Sequence, residues 1–494
     1  MRCLIACLAL LCCAPALAQT APTVIDDASI QAAEALRDDV VVRNEAWMLL
    51  ESLTTEVGPR LAGSEGDVRA VAWAQQAMKS LGYDRVWTEP VTYPVWKRGA
   101  ESAEIVSPHP QRLVVTALGG SIGTPRRGIE AEVVAFSTLQ ALKEARPEDV
   151  RGRIVFIGNR MVRDREGAGY GPAVEARTQG SFVAAEMGAK AILIRSVGTD
   201  DDRLPHTGVA LSRREILAQP GADRKYRKKT RSGLPIVATP IPAAAISNPD
   251  ADLLSRMLER SLPVVVRLAL DVGFDGEHTG ANVIGEITGS ELPDEVILIG
   301  GHLDSWDLGT GAIDDGAGVA ISIAAGHAIG RLPVAPKRTI RVVAFANEEQ
   351  GIFGGNAYHE AHKDEIARHA LTFESDFGAG RIWRLDSAVK PEARGAIDQI
   401  MQVLAPLKVS RGLPYAYGGP DVGPMATAGV AALSLQQDGT EYFDLHHTAN
   451  DTLDKVDPKA LNQNVAVYAV AAYLAAQADG DFGSAPKAAA PATP

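Results

Sequence analysis

From about residue 273 onward, short β-branched apolar runs alternate with helix-length segments, and several of the apolar runs end in histidine or carboxylate residues. This alternation constrains the chain more than any other feature. Strands that alternate with helices in this way form βαβ units around a mostly parallel sheet. Such sheets bind ligands beyond the carboxyl ends of their strands. The spacing predicts strand 295–299, helix 318–332, strand Thr339–Ala346, helix Gly355–Ala367, strand Leu371–Glu374, helix Pro391–Leu404, strand Ala431–Leu435 and helix Pro458–Ala476. The predicted fold class is α/β, a mixed, mostly parallel sheet flanked by helices.

The rest of the chain is arranged around that core. Helical patterning covers Ile30–Leu36, Ala46–Leu53 and Asp67–Leu81, and Val86–Val95 alternates like a strand. Between about 118 and 272 the texture changes to short strands (Glu132–Phe136, Arg153–Ile157, Ala191–Ile194) among proline-rich turns, with one helix expected over Ser181–Met187. This pattern predicts an inserted β-rich domain at 118–272, with 19–117 and 273–479 as two parts of one α/β domain. Residues 480–494 read as a disordered Ala/Pro/Gly tail. The basic run 224–229 inside the insert reads as a solvated loop, with attraction to an anionic surface as the alternative.

Residues 1–18 combine one positive charge, a short apolar core and Ala16-Leu17-Ala18, the pattern of a secretory signal peptide. The chain is therefore expected to be periplasmic or extracellular. All 4 cysteines lie within those residues, so the exported protein would use neither disulfides nor cysteine ligands. No later run reaches the roughly 18 uncharged apolar residues of a membrane span. A net charge of −12, from 49 basic and 61 acidic residues, argues against nucleic acid as a partner.

The chemistry sits at the strand ends. Val296–Ile299 leads into Gly301-His302-Leu303-Asp304, followed by Asp314-Asp315 before a helix. The next strand ends in Glu348-Glu349, the one after in Glu374-Ser375-Asp376, and a late turn carries His446-His447. Imidazole plus carboxylate, without cysteine, is a zinc donor set. Two metals at about 3.5–4 Å need a bridging carboxylate, and Asp314 is placed to bridge. Two divalent ions bring about +4, matched by Asp314, Glu349, Asp376 and a hydroxide. Glu348 is then the spare carboxylate expected of a general base.

These motifs, with His447-Thr448-x-x-Asp451-Thr452, resemble the co-catalytic di-zinc peptidases of the aminopeptidase Y family, and most their plasma glutamate carboxypeptidase branch. Gly58–Ser64 resembles that family's early loop, and 118–272 its protease-associated domain. The resemblance implies His302 and Asp376 on one zinc, Glu349 and His447 on the other (in preference to His446), and Asp314 bridging. It further implies Glu348 as base, Asp304 orienting the His302 ring, Asp315 supporting the Asp314 turn, and a homodimer. The segment Tyr417–Val422 departs from the relatives' Ser-Asp-His; by analogy Tyr417 would stabilise the oxyanion and Asp421 line the pocket. The expected activity is hydrolysis of dipeptides, or of the N-terminal residue of short unblocked peptides, through a metal-bridging hydroxide. Carboxypeptidase action, a mononuclear cyclase, and a non-catalytic receptor-like or structural relative are the alternatives.

Overall fold

The computed structural model describes residues 21–210, 227–229, 235–260 and 262–483. The expected signal peptide, half of the basic run and most of the tail named above lie outside those residues. No helix among the described residues is long and apolar enough to cross a membrane.

One sheet runs through the molecule. Its central order is Ile382–Ala388, Ala432–Gln437, His369–Glu374, Leu292–His302, Arg338–Phe345, Val265–Ile287, Ile129–Phe136, Ile154–Ile157, Ala191–Arg195, Ala243–Ile246. Leu292–His302 pairs in parallel with both Arg338–Phe345 and His369–Glu374, and these inner strands are buried on both faces. Burial on both faces is why they read as near-continuous apolar runs. Helix Ala317–Gly330, almost wholly buried, packs against this sheet together with Pro458–Gln477, whose buried residues lie all round its axis. Helices Asp27–Val40 and Glu45–Ser52 cover them from outside. The N-terminal and C-terminal stretches therefore share one core.

Three expectations change. The strand expected at Val86–Val95 is the 23-residue Arg85–Ser107, paired antiparallel with the equally long Val265–Ile287. That second strand crosses the expected 272/273 boundary and joins the insert's strands to the main sheet. Its middle carries Gly273, Gly276 and Gly280 among charged residues, which hid it. The expectation of little helix in the insert does not hold. It carries Tyr170–Glu186 and Asn248–Leu258 beside parallel strands. Tyr170–Glu186 includes Gly171, Pro172, Thr178 and Gly180, poor helix formers that confine the sequence signal to its last turns. Finally, Ile382–Ala388 is an additional strand, antiparallel to Ala432–Gln437.

Candidate metal centre

Register brings the chemistry together. His302 pairs with Phe345, so Glu348 and Glu349 emerge just past the end of the neighbouring strand. Gly300 aligns with Glu374, which puts Asp376 beyond the strand on the other side. The turn after helix Tyr442–Leu445 supplies His446 and His447. Asp314 and Asp315, joined by a cis peptide bond, stand just ahead of helix Ala317–Gly330 in non-helical conformations.

His302 Nε2 lies 3.1 Å from Asp314 Oδ1 and 3.5 Å from Asp376 Oδ1. His447 Nε2 lies 3.2 Å from Asp314 Oδ2 and 2.9 Å from Glu349 Oε2. Asp314 thus turns one carboxylate oxygen to each imidazole. His446 stacks on His447 with ring centroids 3.5 Å apart, and its Nε2 is 3.6 Å from Asp314 Oδ2. His447 faces two carboxylates where His446 faces Asp314 alone.

The ring tautomers follow from the other nitrogens. His302 Nδ1 donates to the Asp304 carbonyl at 3.0 Å, and His447 Nδ1 to the Thr207 carbonyl at 3.3 Å. Both Nε2 lone pairs are then directed at carboxylates, an arrangement suited to a cation between them. Burial opposes charge on His302, yet Asp304, Asp314 and Asp376 outweigh it and hold its pKa well above the usual range. A bound cation answers the same demand. Burial pushes the Glu349 carboxyl up, and Asp314 adds to the shift; burial likewise raises Glu348, helped by Asp376 and Glu349. Among the described residues, Asp314 Oδ2 and Glu349 Oε1 are buried without a hydrogen-bond partner. Such orphaned oxygens are costly, and divalent metal would satisfy them. The donor set fits zinc.

The supporting residues have distinct tasks. Asp304 meets the His302 ring mainly through its backbone carbonyl, with its carboxylate Oδ1 3.5 Å from Nδ1. That carboxylate accepts the Glu348 N–H at 2.9 Å and the Glu349 N–H at 3.4 Å. Asp315 accepts the His302 and Gly318 N–H groups, each at 3.0 Å. Asp421 is buried, accepts the Gly355 N–H at 2.8 Å, and donates its own N–H to Glu374 Oε2 at 2.8 Å. Burial, with Asp376 nearby, pushes Glu374 up to about 8. Tyr417 is 55% exposed, with its hydroxyl end packed near Gly423.

Sequence reasoning missed several participants. Arg60, fully buried, donates to the carbonyls of Gly58, Leu303, Thr310 and Gly311, tying down the loop that leads to Asp314. Trp306 Nε1 donates to Glu349 Oε2 at 2.5 Å. Asp451 Oδ1 accepts the Ile313 N–H at 2.6 Å. Arg60 and Asp451 lay inside motifs that the family resemblance had already marked; nothing in the sequence marked Thr207.

The chain matches the model of peptidase family M28 over residues 282–472. It is 36% identical to carboxypeptidase Q of Xenopus laevis over 434 residues, covering 88% of this chain and 86% of that protein. The human carboxypeptidase Q matches at 36% over 434 residues with the same coverage, 88% and 86%. Among solved structures, a peptidase M28 precursor from Shewanella amazonensis SB2B superposes with a TM-score of 0.87 at 48% identity, covering 94% of this chain and 100% of that one. A zinc aminopeptidase from Bacillus subtilis shares the fold, with a TM-score of 0.61 at 18% identity over 86% of this chain and 93% of that one. A donor set of this geometry, within a sequence so related over most of its length, shows that the chain belongs to peptidase family M28, on its carboxypeptidase Q-like branch, and is a metallo-exopeptidase.

Proposed function

We propose that the protein binds two zinc ions per chain and hydrolyses dipeptides, or releases the N-terminal residue of short unblocked peptides. The observation that carries this reading is the Asp314 carboxylate, with its oxygens 3.1 and 3.2 Å from imidazoles on opposite sides. His302 and Asp376 form one half of the site, His447 and Glu349 the other. Bound metals would polarise the scissile carbonyl and acidify the attacking water.

The remaining work falls to the chain itself. Glu348 belongs to neither ligand pair, is only partly buried, and has its backbone held by the Asp304 carboxylate. It serves as the general base: it takes the water's proton and passes it to the leaving amine nitrogen. Asp304 positions both partners, His302 through its carbonyl and Glu348 through its carboxylate. Glu348→Gln should retain both metals and lose on the order of 10²–10⁴ in kcat. Full activity in that variant would sink the assignment.

The name of the carboxypeptidase Q relatives favours a second reading, action at the C-terminus. A dipeptide panel with N-acetylated and C-amidated members separates the two. Loss of turnover on N-acetylation supports recognition of the free amine, and loss on C-amidation alone supports the second reading. The leader pattern at residues 1–18 supports export to the periplasm or medium, testable by N-terminal sequencing of the exported form, expected to begin at Gln19. The family resemblance supports a homodimer, which sedimentation would read directly.

A further inference from the structure

His447 differs from the other proposed ligands in its backbone, which is left-handed with φ 62°. For a residue with a Cβ this conformation is strained and persists only where the surroundings impose it. Those surroundings come from the insert. The Thr207 N–H donates to the His447 carbonyl at 3.0 Å, while the Thr207 carbonyl accepts from His447 Nδ1. One residue earlier, His206 Nδ1 donates to the His446 carbonyl at 2.7 Å, and His206 Nε2 donates to Asp200 Oδ1 at 2.5 Å. Thr199 extends the clamp, donating from its N–H to the Phe443 carbonyl at 3.0 Å and from its hydroxyl to Asp444 at 2.6 Å.

This clamp is itself anchored. His206 and Asp200 are buried, and the Asn248 side-chain amide, at the start of helix Asn248–Leu258, donates to the Asp200 carbonyl at 3.2 Å. The approach is also too close for a side chain. A Cβ on Gly208 would lie 2.6 Å from His447 Nδ1 and 2.3 Å from Arg177 Nη1, and Gly208 has φ 122°. Backbone bonds on both sides of the ligand, a buried Asp–His pair and a steric stop therefore converge on the turn that carries this imidazole.

We propose that Asp200 and His206 are positioning residues for His447, so that the insert is a working part of the metal centre and sets metal affinity on the His447–Glu349 side. The proposal rests on the two-metal reading. Residues that hold a ligating histidine in place typically change metal affinity by about 10–100-fold when removed, and that is the shift expected for His206→Ala. Asp200→Asn, which keeps an acceptor but drops the charge, should give a smaller shift in the same direction. Gly208→Ala should weaken the same metal by pushing on the ring.

The test is metal content against graded chelator for the full-length wild type, the three variants and Arg146→Ala. Arg146 is an exposed control on the insert, paired with Asp149. Thermal midpoints of the metal-free forms are measured in parallel. Selective loss of one of two metals in the variants, with Arg146→Ala unchanged, supports the proposal. Lower metal-free midpoints with wild-type affinity for both metals would mean a merely structural role and overturn it. Should His206→Ala fail to fold, unchanged affinity in both Asp200→Asn and Gly208→Ala overturns it equally. The wild-type stoichiometry, read first, tests the two-metal reading separately from the variants.

Discussion

The two halves of the proposed metal centre are built differently. The His302–Asp376 half comes from adjacent parallel strands of one sheet, ending at the same level, with Asp304 and Asp315 close by in sequence to hold the donor. The His447–Glu349 half has one donor on a strand end and the other on a turn whose shape is held by residues 199–208. The first half is a consequence of sheet register, which local patterning largely determines. The second draws on contacts between segments about 240 residues apart in the chain. One half of a single site can thus be inherited from a fold and the other assembled across it.

Asp314 belongs to both halves, so its loss is expected to erase the distinction. Asp314→Ala should release both metals and reduce activity below the level of Glu348→Gln, itself lowered by on the order of 10²–10⁴, as read by elemental analysis and kcat/KM. Retention of one tightly held metal would break the symmetry assigned to Asp314. Arg60→Met acts next, on the loop side of the first half. It leaves four carbonyls short of a charged donor whose bonds contribute about 1.5–3 kcal/mol each, so the metal-free protein should lose at least about 3 kcal/mol in denaturant unfolding. An unchanged midpoint would show that the loop holds without it. Trp306→Phe removes one N–H from Glu349 and keeps the ring packed near His447. The expected change is about 1.5–3 kcal/mol in metal affinity on that side alone, seen in the same chelator titration. Equal weakening of both metals would argue that the halves are less separate than their construction implies.

Much of the candidate site was legible because its acidic and imidazole side chains follow strands in predictable places. The runs before His302, Glu348 and Glu374 are strands, and the helix after Asp314 begins at Ala317. The role of Asp304 was harder to read. The family resemblance implied that Asp304 orients the His302 ring without saying through which atom; its backbone carbonyl makes the shorter contact, and its carboxylate reaches across to the next strand's loop. Asp421 is turned inward toward Glu374 and Gly355, a direction that periodicity in a Gly/Pro-rich segment cannot reveal. The second half of strand Arg85–Ser107 and its partner Val265–Ile287 escaped notice for a related reason, since their partly exposed, glycine-containing stretches lack the regular alternation of a half-buried strand.

By itself, the sequence determined an α/β sheet, the strand ends that carry acid and imidazole, and the family to which those motifs are similar. Each of these is written in windows of a few to some twenty residues, through periodicity and turn chemistry. Tertiary structure alone decided that the insert's strands join the main sheet, and that a histidine 240 residues earlier in the chain supports the turn bearing His447. No local pattern encodes that contact, because it depends on how two packed layers meet and not on the conformational preference of either segment.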